Sequence, residues 1–186
     1  MSWLENLGIY FECKELLSID VDAIVCPINV DLNEYGKISK KIFKLGQTGL
    51  INDLSEVKNK LANQKLVLGQ AISVDCKPIY NIGNFKKIIF VALWDFYSEY
   101  DFNLFYKAYI NSFREAFQHN LKSIALPVMA YDGNLSLCGQ AIIKVIHDLN
   151  YLNKSSEFSI EEIYFTTNNN SHIDFLKKEV EVKLYQ

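Results

Sequence analysis

Three observations predict a three-layer α/β/α sandwich with a mixed sheet that is parallel in its centre. Short β-prone runs alternate along the chain with longer segments of helical periodicity, the order that builds parallel strands joined by crossover helices. Ala23, Ile24 and Val25 form an apolar run with no polar alternation, as expected of a central strand covered on both faces. The 186 residues, 49% of them hydrophobic, suffice for a single domain over residues 1–186 with its own core and no metal or disulfide staples.

Each element has its own signal. Residues 8–13 suit a first strand, and residues 21–29 the central one. Pro27 has no N–H to give to a ladder, so regular pairing is expected to stop near it and the chain to enter a loop through Ile28, Asn29 and Val30. Helical spacing over 35–45 and 50–62 predicts two helices, with Gly46 and Gly49 as punctuation between them. A strand over 66–74 is interrupted at Gly69, residues 81–84 carry turn chemistry, and 87–93 reads as a buried strand. A long helix over 103–119 leads to a short strand, 123–127, then a loop, 129–136. A helix over 138–149, a last strand over 162–167 and a final helix to residue 180, capped by Ser171, complete the pattern.

Composition narrows the function. A net charge of -3 argues against a broad phosphate-tracking surface, so duplex nucleic acid is not an expected partner, while a compact anion held by helix N-termini remains open. No apolar run approaches the ~20 residues of a membrane span, and the start lacks a signal peptide's apolar stretch, so the expectation is a cytoplasmic protein with no membrane partner. Cys13, Cys26, Cys76 and Cys138 are spread out with no C-x-x-C pair and read as reduced, mostly core thiols; neither metal nor cofactor is indicated. His119, His147 and His172 form no recognisable triad with a nucleophile.

The central strand delivers Asn29 to the carboxyl edge of the sheet, where ligands of open α/β folds collect. Its amide accepts and donates at once, which suits a sugar edge, although an Asn there also satisfies loop amides. Val-Asp-Ala-Ile-Val at 21–25, Gly-Gln-Ala at 69–71, Ala-Tyr-Ile-Asn-Ser-Phe at 108–113 and Ser-Ile-Ala-Leu-Pro at 123–127 follow in an order and spacing that resembles the macrodomain family, over residues 14–180. That family binds ADP-ribose, and some members hydrolyse ADP-ribosyl linkages. The resemblance implies ADP-ribose or a related nucleotide diphosphate as ligand, and an ADP-ribosylated macromolecule as a further partner.

Residue by residue, the resemblance puts Asn29 at the second Asn of the family's Asn-x-x-Asn pattern and Cys26 at the first. Where hydrolytic members carry a glycine run and a catalytic Asp, this chain has Gly36, Lys37, Ile38 and Ser39, and a serine is no carboxylate base. The second phosphate loop corresponds to Tyr131, Asp132, Gly133 and Asn134, with Asp132 either a turn former or a relocated general base. Glu15 and Leu16 match the pair that reads adenine, and Thr167 and Asn168 stand where relatives place an aromatic to stack on it. Binding is the leading expectation. The alternatives are an ADP-ribosyl hydrolase using Asn29 and Asp132, and a degenerate domain that serves as a protein-interaction module.

Overall fold

The computed structural model describes residues 3–95, 99–130, 133–152 and 159–184. Six strands, β1 (Gly8–Glu12), β2 (Ala23–Asn29), β3 (Ala71–Asp75), β4 (Lys87–Trp94), β5 (Ser123–Pro127) and β6 (Glu162–Thr166), form one sheet in the order β1-β6-β5-β2-β4-β3. All neighbours are parallel except β3, which runs antiparallel to β4 at the edge. The helices are α1 (Trp3–Asn6), α2 (Gly36–Lys60), α3 (Phe102–Gln118), α4 (Leu135–Leu152) and α5 (Asn170–Leu184). No described helix is long and apolar enough to cross a membrane.

The three layers follow from the two-residue period of the strands. On β2, Ala23 and Val25 join Ile89, Val91 and Leu93 of β4 in the core beneath α3, α4 and α5. Ile24, Cys26 and Ile28 point the other way and pack with Phe90 and Ala92 against Ile42, Phe43, Leu50 and Leu54 of α2. Residues 23–26 are fully buried, so β2 is the double-faced central strand its sequence predicts.

Several boundaries differ from expectation, each for a tertiary reason. Pro27 does not end β2: the strand continues beside β4 to Asn29, with Pro27 opposite Val91, and a register shift falls only between Ile28 and Asn29. What stops early is the ladder with β5, which holds Ala23 to Ile124 and Ile24 to Ala125. Residues 66–70 are loop rather than strand. Gly69 has φ +80, and a Cβ there would sit 2.5 Å from the Lys107 Cβ, so the loop lies directly on α3, where Asn111 Nδ2 donates to Gly69 O at 2.8 Å. The two helices expected over 35–62 form one long element broken at Gln47, whose φ of 46 is non-helical. The final helix is capped by Asn169, whose Oδ1 accepts from Ser171 N at 3.0 Å and Ser171 Oγ at 2.7 Å. Of the thiols, Cys26 and Cys138 are buried, Cys76 is half-buried and Cys13 is exposed.

Asp22 fastens the amino ends of β2, β4 and β5. Its backbone O accepts from Lys86 N at 2.7 Å, its N donates to Ser123 Oγ at 2.9 Å, and its carboxylate takes Lys122 N at 2.7 Å and Lys86 Nζ at 2.8 Å. Burial pushes this carboxyl up, but Lys86 and the amides of Lys122 and Ser123 outweigh burial and hold it below the usual range. Asp22→Ala is expected to cost about 1–3 kcal/mol in urea unfolding, because Lys122 N–H loses its acceptor. The folded pKa is lowered, so this contribution is present above the unfolded value of about 3.9 and fades as pH falls through the folded one. Urea midpoints measured from neutral to acidic pH for wild type and Asp22→Ala should converge at the acid end.

Candidate functional site

The strand order reverses direction between β2 and β5. From β2 the chain passes through α2 to β3 and β4 on one side, and from β5 through α4 to β6 on the other. Loops that leave adjacent parallel strands in opposite directions open a crevice at their carboxyl ends. Here the crevice is widened because the β2–β5 ladder is confined to the amino ends of the strands. Pro27 and Pro127, neither with an N–H, stand at the opposite ends of the same two strands and line a cleft of about 600 Å³.

The walls come from four connections. After β1, Lys14, Glu15, Leu16 and Leu17 line one side, and after β6, Thr167 and Asn168 line the cleft too. The start of α2 supplies Tyr35, Gly36, Lys37, Ile38 and Lys41. The segment after β5 supplies Val128, Met129 and Ala130. Three lysines against one glutamate make the described lining net positive in a chain whose overall charge is -3. Glu15 Oε2 pairs with Lys41 Nζ at 2.7 Å, so that acid is partly neutralised.

Local hydrogen bonds shape the α2 entrance. Gly36 has φ +80, a left-handed conformation that costs glycine little, and it turns the chain into the helix. Ser39 is fully buried, accepts from Tyr35 N and donates to Gly36 O at 3.3 Å, so it works as a capping residue at the helix start. The first amides of a helix have no intrahelical acceptor and carry the positive end of its dipole. At Gly36, Lys37 and Ile38 this end borders the cleft.

Of the residues singled out from the sequence, Glu15, Leu16, Gly36, Lys37, Ile38, Thr167 and Asn168 share this one cleft. Asn29 lies outside its lining. The Asn29 Oδ1 accepts from Asp31 N at 3.0 Å and Asn33 N at 2.8 Å, which holds the loop after β2. Gly133, at φ +92, and Asn134, whose O accepts from Cys138 N at 3.0 Å, lead into α4 and also lie outside the lining. Tyr131 and Asp132 fall outside the described residues. Cys26 is on the α2 side of the sheet, where burial pushes its thiol well above the ordinary range.

Sequence reasoning passed over Lys14, Lys41, Leu17, Tyr35 and Met129 as lining residues. A signal existed for Lys41, four residues after Lys37 and so on the same helical face. None existed for Tyr109, a fully buried phenol beneath the cleft. Its hydroxyl accepts from Met129 N at 3.0 Å and lies 3.4 Å from Pro127 O and 3.1 Å from Cys138 Sγ. Burial holds its pKa well above the ordinary value, so it stays a protonated phenol that ties down the segment after β5.

No family model matches the sequence, and a search of curated proteins finds no match. Solved structures do match. The Oceanobacillus iheyensis macrodomain with ADP superposes with a TM-score of 0.77 at 14% identity, over 95% of this chain and 92% of that one. The macro domain of ganglioside induced differentiation associated protein 2 gives 0.73 at 17% identity, over 95% and 84% of the two chains. The Trypanosoma brucei macrodomain in complex with ADP gives 0.71 at 12% identity, over 95% and 70%. The chain therefore has the macrodomain fold, in a form far diverged in sequence from these structures.

Tyr109→Phe should remove the hydroxyl oxygen that accepts from Met129 N and cost about 1 kcal/mol, seen as a lowered urea midpoint with an unchanged slope.

Proposed function

We propose that the chain, as one macrodomain-like domain over residues 1–186, binds ADP-ribose or a related adenosine diphosphate derivative in the cleft between β2 and β5. One observation carries this reading: groups that suit an anion and groups that suit a base line the same cavity. The amino end of α2 with Lys37 and Lys41 suits a diphosphate, and Glu15 with Leu16, Leu17 and Thr167 suits a heterocycle. The Glu15 carboxylate, paired with Lys41 through one oxygen, can accept from an exocyclic amine. Structures of the same fold support the choice of nucleotide, since two of them hold ADP and a mutant Oceanobacillus iheyensis macrodomain is described with ADPR. An ADP-ribosylated macromolecule would present the same group, in a cytosolic setting where an exposed thiol such as Cys13 stays reduced.

Binding is favoured over hydrolysis by three placements. Ser39 is buried in capping contacts, the Asn29 carbonyl is committed to the loop amides, and Glu15, the one acid lining the cleft among the described residues, is paired with Lys41.

Calorimetric titration tests the proposal. ADP and ADP-ribose should each bind saturably and more weakly as salt rises, adenosine without phosphates should give no heat, and Lys37→Glu should weaken both nucleotides about tenfold. No heat with either nucleotide at millimolar concentration would overturn it.

A further inference from the structure

The amino half of α2 carries more cations than the two that line the cleft. Lys37, Lys40, Lys41 and Lys44 are all exposed, and their i, i+3, i+4, i+7 spacing puts them on one face of the helix. Ser39, Ile42 and Phe43 on the other face are buried, the last two in the core beneath the sheet. Two adjacent rows result. Lys37 and Lys41 belong to the cleft lining, and Lys40 and Lys44 stand beside them outside it.

This stripe differs from an ordinary solvated helix face in having no acids among its lysines. Residues 35–52 contain four lysines and neither Asp nor Glu. Lys41 pairs with Glu15, whereas Lys37, Lys40 and Lys44 form no ion pair among the described residues. Elsewhere Lys65, Lys77 and Lys86 are matched with Asp31, Asp53 and Asp22, and on α5 Lys177 and Lys178 are interspersed with Asp174 and Glu179. An unmatched row of cations in a chain of net charge -3 sets a local field against the sign of the whole molecule.

That field extends past the residues a bound ligand would touch. Seven residues separate Lys37 from Lys44, about 10 Å along the helix axis, which equals the Debye length of about 10 Å at 0.1 M salt. Resting on the nucleotide reading above, we infer that Lys40 and Lys44 steer nucleotide diphosphates into the cleft. They set the rate of capture from outside the lining, while Lys37 and the first amides of α2 hold the captured phosphates.

Stopped-flow fluorescence on the full chain tests this, with ADP carrying a fluorophore on its ribose as the probe and excess unlabelled ADP to displace it. The Lys40→Gln/Lys44→Gln double variant should lower kon about fivefold at low ionic strength and leave koff within about twofold of wild type. The difference should vanish near 1 M salt, where the Debye length is about 3 Å. Lys177→Gln/Lys178→Gln makes the same change in net charge on a helix of the opposite layer and should leave kon as it is. An unchanged kon in the α2 variant, an equal loss in the α5 variant, or an effect confined to koff would overturn the inference and leave the nucleotide site standing. Failure of ADP and ADP-ribose to bind in calorimetry would remove the site and the inference together.

Discussion

The short ladder between β2 and β5 is the constraint on which the rest of the molecule depends. The two strands are locked at their amino ends by Asp22, whose backbone and carboxylate gather Lys86, Lys122 and Ser123. Pairing is then confined to Ala23 with Ile124 and Ile24 with Ala125. A parallel pair that continued to its carboxyl ends would fill the crevice with backbone. Instead Pro27 and Pro127 reach the cleft without donors to pair, and the fold keeps an opening where its topology changes direction.

The sheet tolerates this because each strand is supported on its other side. β2 stays paired with β4 through Asn29, and β5 stays paired with β6 through Pro127, so the opening does not weaken either half. The segment after β5 is held by Val128 N donating to Thr166 O at 2.8 Å and by the Tyr109 hydroxyl below it. Rigid edges with a gap between them are what a preorganised binding cleft requires.

Charge and aromatic packing then divide the cleft. Three lysines and the α2 amino end give the described lining a positive balance in a chain that is acidic overall. The Tyr35–Trp94 stack adds shape to that charge.

Much of the architecture was legible in the chain because it rests on local periodicity. The unbroken apolar run 23–25, the helical spacing of α3 and α4, and the punctuation near Gly46 are all set by residues close in sequence, and the family resemblance rested on the order of such segments. The cleft residues Glu15, Leu16, Gly36, Lys37, Ile38, Thr167 and Asn168 were legible through that same order. What a side chain touches was not legible. Asn29 reads equally as a ligand residue and as a loop fastener, and only the positions of the Asp31 and Asn33 amides show which hydrogen bonds it makes. Tyr35 reads as the start of a helix until Trp94 and Tyr100, some sixty residues away, pin its ring at the cleft. Sequence by itself determined the layers and the edge of the sheet at which the cleft opens, since burial periodicity and turn chemistry act over a few residues. Tertiary structure alone decided the width, charge and lining of the cleft, since those depend on side chains from four connections meeting across the sheet.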